Sequence, residues 1–264
     1  MLSEVMAARF IKRMGNGRTL PCLIECENDH GEKIEIVVKY SGNLFEKEKS
    51  LAFEAIAAML AADLGLPIPE PFLVTLDDAF ISLVPDDEVR SVMQKSCRLG
   101  FGLRLVTGYA AWLTGQTVPR NNVEAAAEIA IFDKIIENSD RRPENPNCQF
   151  LADDFLIFDH ELAFTRELFW IEPWEDGGFD VLEKRDHHIF ARPYYEAGLN
   201  NLSHFIGKWE GLDANRFQQY KTALPSEWLQ NSADVEHIDR IVSYLMQVKS
   251  NIQVIAKNAL KVLR

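Results

Sequence analysis

Cysteine is scarce in this chain, with Cys22, Cys26, Cys97 and Cys148 the only four in 264 residues. A zinc site needs four ligands at short paired spacings. Only Cys22 and Cys26 are close together, at a spacing that suits two residues on one face of a strand. Reduced thiols packed as small hydrophobes are the expectation, and with them a cytoplasmic location. Long apolar runs are also missing, and none approaches the ~18–20 residues that span a bilayer. The opening MLSEVMAARF carries Glu4 and no apolar stretch before Arg9, so no secretory signal is expected. Basic residues are in deficit: 28 Lys and Arg against 40 Asp and Glu leave a net charge of −12. That balance argues against a nucleic-acid partner, whose phosphates call for a clustered basic surface. No internal repeat or low-complexity segment is found.

What remains, 47% hydrophobic and 26% charged residues, describes an ordinary globule of one large domain or two lobes sharing a cleft. Gly15-Asn16-Gly17, followed by Arg18 and Thr19, is either a hairpin turn or a loop whose backbone N–H groups approach a phosphate. Residues 20–27 and 33–40, rich in Ile, Val and Cys, flank the turn formers Asn28-Asp29-His30-Gly31 and form a hairpin. Lys39 stands where the second of these strands leaves the core. Residues 46–64 repeat apolar positions at helical spacing and end at Gly65, with Pro67, Pro69 and Pro71 enforcing an extended exit. Glu54, amid the apolar residues of that helix, either faces solvent or reaches into a cleft to hold a lysine. Residues 72–75 and 80–84 read as two further strands. The first 85 residues are thus a small antiparallel-sheet lobe with one helix, and Pro85-Asp86-Asp87 is the best linker to a second lobe over 86–264.

Residues 88–120 declare no period. Residues 123–137 form a clear helix with Asn122 as its N-cap. Beyond position 159 the chain is loop-rich and acidic to about Asp186, with Trp170, Trp174 and Phe179 suggesting a segment packed against the body. His187 and His188 lack a second ligand cluster and do not read as a metal site. From Asn200 onward the chain is mostly helical, and the amphipathic stretch over 234–263 is expected to complete the core.

The densest chemistry lies between. In NSDRRPENPNCQFLADDFLIFD (residues 138–159), two short apolar runs surround Asp153 and Asp154, a hairpin pattern. A polar, proline-broken loop carrying Asp140 and Asn145 precedes it, and Asp159 follows it. If the hairpin closes, its ends meet and the three oxygen-bearing side chains converge, a candidate Mg²⁺ site with a spare carboxylate.

Phosphoryl transfer needs a loop over the phosphates, a lysine, oxygen ligands for Mg²⁺ and a residue that takes the attacking hydroxyl's proton. Residues 15–19, Lys39, Asn145 with Asp159, and Asp140 supply these in the order a protein kinase uses them, and the 140–145–159 spacing resembles a kinase catalytic loop and metal-binding Asp. GRTLP (17–21), VVKY (37–40), LAFEAIAAMLAADLGLPIPEP (51–71), NSDRRPEN (138–145) and FDH (158–160) resemble the HipA-like kinases, bacterial serine/threonine kinases known from toxin–antitoxin modules.

That resemblance implies a two-lobed α+β kinase fold with a mainly helical second lobe, binding ATP and Mg²⁺ between the lobes. Carried over, Asp140 is the catalytic base, Asn145 and Asp159 hold the metal, Lys39 pairs the α/β-phosphates, and Glu54 orients Lys39. Gly15, Gly17, Arg18 and Thr19 form the phosphate loop, Thr19 corresponding to a hydroxyl that family members autophosphorylate. A protein substrate and an antitoxin-like partner are implied as well. Three features depart from kinases at large: Asn138-Ser139 replaces His-Arg before Asp140, His160-Glu161 replaces Phe-Gly after Asp159, and no Ala-Pro-Glu follows. The expected function is transfer of the γ-phosphate to a protein Ser/Thr hydroxyl. The alternatives are a small-molecule phosphotransferase of the same fold and a non-catalytic nucleotide-binding module that regulates a partner.

Overall fold

Side chains at every second position along the early strands share one interior, and they build a barrel. The computed structural model describes residues 2–15, 19–165 and 171–264. The chain divides into two units, one of Met1–Met59, Pro69–Thr107 and Gln219–Ile238, the other of Leu60–Ile68, Gly108–Gln218 and Asp239–Arg264.

In the first unit, strand β1 (Ser3–Arg13) pairs antiparallel with β2 (Cys22–Glu27), which pairs antiparallel with β3 (Lys33–Lys39). Cys22 lies opposite Val38 and Ile24 opposite Ile36, all four fully buried. Strands β4 (Pro71–Thr75) and β5 (Leu99–Arg104) pair antiparallel with each other, and β5 continues onto β3. The ring closes where β4 runs parallel to β1, Ser3 beside Phe72 and Val5 beside Val74. The expected small antiparallel sheet is therefore a closed five-stranded barrel with one parallel pair. Closure is tight at β5. A Cβ on Gly102 would lie 2.3 Å from Ile36 Cγ2, and one on Gly100 would lie 2.7 Å from the carbonyl of Lys39, so both positions require glycine.

Helix α1 (Glu48–Asp63) falls where the apolar spacing places it. It is buried on every face from Leu51 to Ala61, as its small and apolar residues permit. The strand expected over 80–84 is instead helix α2 (Asp78–Leu83). Asp77 accepts a hydrogen bond from the Phe80 amide at 2.6 Å and so caps it, while Phe80 and Ile81 are buried and Leu83 faces out, an angular pattern rather than alternation. Helix α3 (Asp87–Gln94) follows, capped by Asp86, whose carboxylate accepts from the amides of Glu88 and Val89. The unit thus carries more than the one helix expected.

The second unit is built on helix α4 (Val123–Ile135), buried almost throughout. Asn122 does not cap it; its side-chain amide donates to the carbonyl of Asp153 at 2.6 Å and ties a distant turn to the start of the helix. That turn joins β7 (Cys148–Leu151) to β8 (Asp154–Ile157), the hairpin expected from the sequence, and the two-residue strand β6 (Ala110–Ala111) pairs along β7. Trp112 packs edge-on against Phe150, Phe155 and Phe190, each ring centre 5.4 Å away. Trp174, set against Tyr244, and buried Phe179 pack the post-hairpin segment onto the body as expected, whereas Trp170 lies outside the described residues. Helices α5 (Ser203–Gly211) and α6 (Ala214–Thr222) follow. The single amphipathic stretch expected over 234–263 is two helices, α7 (Ser232–Ser250) and α8 (Ile252–Leu263), broken at Asn251. No helix among the described residues is long and apolar enough to cross a membrane.

Candidate active site

Strand β3 delivers Lys39 from the barrel, and α1 delivers Glu54. Lys39 Nζ lies 3.1 Å from Glu54 Oε2, with only 11% and 2% of the two side chains exposed. Of the two readings of Glu54, the structure supports the carboxylate that holds a lysine. The connection from β1 to β2 is closed by the Met14 amide donating to the Pro21 carbonyl at 2.8 Å. Gly15 turns into it with φ +66°, a left-handed conformation in open space. Thr19 is half-buried in the same connection, while Gly17 and Arg18 lie outside the described residues.

In the second unit the chain leaves α4 through Glu137, whose φ of +59° reverses its direction, and enters the polar loop. Asn145 Nδ2 donates to Asp140 Oδ2 at 2.8 Å, and Asn147 Nδ2 donates to the same oxygen at 3.3 Å. The loop is drawn tight by the Arg142 amide donating to the Asp140 carbonyl and the Asn145 amide to the Arg142 carbonyl, each at 2.9 Å. Beyond the last hairpin pair, Cys148 with Ile157, the Phe158 amide donates to the Asn147 carbonyl at 3.3 Å. The hairpin's ends therefore meet, and Asp159 follows at once in the left-handed region, with φ +64°. Asp140 and Asn145 touch directly, and Asp159 is joined to them through the backbone at 147 and 158.

Sequence reading missed what lies beneath this loop. Asp133, near the end of α4, and Arg141 form a fully buried ion pair, Arg141 Nε donating to Asp133 Oδ2 at 2.6 Å. The same carboxylate accepts from Asn138 Nδ2 at 2.8 Å and from His188 Nε2 at 3.0 Å. His188 Nδ1 accepts from the Phe190 amide, which identifies the Nε2–H form. Asn138 Oδ1 in turn accepts from the Asp140 amide at 3.2 Å. Burial pushes the Asp133 carboxyl up, but the charge of Arg141 and the bond from His188 outweigh it and hold the group well below the usual carboxylate range. A carboxylate inside the apolar run IAIFDKII was the available signal, because a buried charge demands a partner. The HH pair, which does not read as a metal site, has another use: His188 belongs to this network. A cavity of about 300 Å³ opens beside the loop, its walls including Asn138, Ser139, Arg142, Lys134, Asp186 and His187.

A family model described as HipA-like kinase matches residues 7–258. Among solved structures, the proinflammatory kinase CtkA of Helicobacter pylori aligns over 99% of this chain and 99% of its own, with a TM-score of 0.53 and 14% identity, a likeness of fold. The open conformation of CtTel1 aligns with 94% of this chain but 12% of its own, at a TM-score of 0.38 and 11% identity, too weak to bear on the fold. No curated protein sequence matches.

Proposed function

The chain belongs to the HipA-like kinase family, and on that premise we propose that it is an ATP- and Mg²⁺-dependent kinase that transfers the γ-phosphate to a serine or threonine hydroxyl of a protein. The observation that carries this reading is the setting of Asp140. Its Oδ2 is held by the amides of Asn145 and Asn147, and among the described residues Oδ1 is not engaged. A carboxylate oriented through one oxygen and open at the other suits acceptance of a proton from an attacking hydroxyl.

The ligand chemistry fits Mg²⁺. Asn145 has committed its amide nitrogen to Asp140, which leaves its amide oxygen for a cation, and Asp159 adds a carboxylate. An oxygen-only pair favours a hard cation over zinc. Bound Mg·ATP supplies the activated γ-phosphoryl group. Lys39, its ammonium held by Glu54, would offset the charge of the α/β-phosphates, and the amides of Gly15 and Thr19 would be available to them. Asp140 then takes the hydroxyl proton on Oδ1.

One observation favours a second reading, a small-molecule acceptor: the cavity of about 300 Å³ is bounded by Asn138, Ser139 and Arg142, which flank Asp140 in sequence. Incubation with γ-labelled ATP and a cell lysate separates the two. Label on protein Ser or Thr is the expected result. Label confined to small metabolites favours the second reading, and label in neither overturns both.

A further inference from the structure

Arg141 follows the proposed base in sequence, yet its side chain points away from solvent and is fully buried. A guanidinium carries five N–H donors in a rigid fork, and here all five are used. Nε and Nη2 donate to the two oxygens of Asp133, at 2.6 and 3.3 Å. Nη2 also donates to His160 Nε2 at 2.8 Å. Nη1 donates to the Asn147 carbonyl in a short hydrogen bond and to the Phe158 carbonyl at 3.2 Å.

Those last two carbonyls stand on opposite sides of the hairpin mouth, Asn147 two residues beyond Asn145 and Phe158 immediately before Asp159. Asp133 fixes the other end of the fork and is itself held by Asn138 and His188. One guanidinium thus links the chain beside Asp140, the chain beside Asn145 and the chain beside Asp159. A buried ion pair is a poor source of net stability, since packed apolar residues often replace it without loss. Its use here is geometric.

We propose that Arg141 is the positioning residue of the site, clamping the hairpin mouth so that Asn145 and Asp159 stand at the separation a divalent cation requires. This rests on the assignment of Asn145 and Asp159 as the cation's ligands. Arg141→Lys keeps a charge opposite Asp133 but cannot reach both carbonyls, and the pair Asp133→Asn with Arg141→Gln removes both charges so that neither is left buried alone. The full chain is titrated with Mn²⁺ in the presence of ADP, bound Mn²⁺ being followed by electron paramagnetic resonance, and thermal melts establish that each variant folds.

The expected result is a folded Arg141→Lys protein whose Mn²⁺ affinity falls roughly 10–100-fold, the size of effect seen when the support behind a metal ligand is removed. The double variant should lose a similar amount and carries the test if Arg141→Lys does not fold. Asp159→Asn should weaken Mn²⁺ as well, and adding Arg141→Lys to it should cost less than the two effects multiplied, because both act on one site. Either folded Arg141 variant binding Mn²⁺ like the wild type overturns the positioning role, since a merely structural arginine would lower the melting temperature and leave the affinity unchanged. Wild-type protein that binds no Mn²⁺, or an Asp159→Asn protein that binds it unchanged, overturns the ligand assignment and this proposal with it.

Discussion

Replacing Gly102 by alanine tests the barrel that carries Lys39. The added methyl would meet Ile36 Cγ2 at 2.3 Å and Val74 Cγ2 at 3.1 Å, and both side chains are fully buried. The first distance is about 1 Å short of ordinary contact, more than a β-branched side chain with one favoured rotamer absorbs by rotation. The backbone cannot retreat, because Gly102 is paired with Val38 on one side and Phe72 on the other. Overpacking of this kind costs about 1–3 kcal/mol. At roughly 2–4 °C per kcal/mol for a chain of this size class, the melting temperature should fall by several degrees. Gly207→Ala supplies the opposite sign: Gly207 lies in α5 with nothing within 4 Å of the added carbon, so the substitution should stabilise by about 0.5–1 kcal/mol. Calorimetry or a circular-dichroism melt of the two variants beside the wild type reads the contrast. A Gly102→Ala protein as stable as the wild type would refute the closed packing of β3, β4 and β5.

Lys39→Met should lower phosphate transfer by about 10²–10³-fold, the loss expected when a group that offsets phosphate charge is removed; initial rates with γ-labelled ATP measure it, and an unchanged rate removes Lys39 from the site. Burial raises the thiols of Cys22 to about 11 and of Cys26 and Cys148 to about 12. Because the reactive thiolate is the form that burial disfavours, these three should resist iodoacetamide at pH 8 in the folded protein and react on unfolding, as peptide mass mapping would show; rapid labelling of the native protein would contradict their placement.

The hairpin over 148–157 and the helices over 48–63 and 123–135 were legible because each is specified locally, by turn residues or by apolar spacing. Strand β1 was not. Its register slips between Ala7 and Arg9 and again between Phe10 and Lys12, which breaks the two-residue alternation that would announce it. Strand β5 is the sequence LGFGLR, poor in strand formers because the barrel leaves no room for side chains at positions 100 and 102. The parallel closure of β1 on β4 joins segments some 70 residues apart, beyond any local pattern. The same division holds in the site. Asp140, Asn145 and Asp159 occupy one hairpin mouth and could be read from spacing, whereas Asp133 reaches its partner His188 across 55 residues. Arg141 is not singled out by the sequence, because no local pattern tells an arginine in a polar loop to turn inward, and its partners Asp133 and Phe158 lie 8 and 17 residues away.

Asp140 is the residue on which the proposed phosphate transfer turns. Asp140→Asn keeps the size of the side chain and an acceptor oxygen, and removes the carboxylate proposed to take the proton. Single-turnover transfer from γ-labelled ATP, with Mg·ATP affinity measured on the same protein by calorimetry, should show a rate about 10²–10⁴-fold lower and an affinity within a few-fold of the wild type. Transfer at the wild-type rate would contradict the assignment of Asp140 as the base.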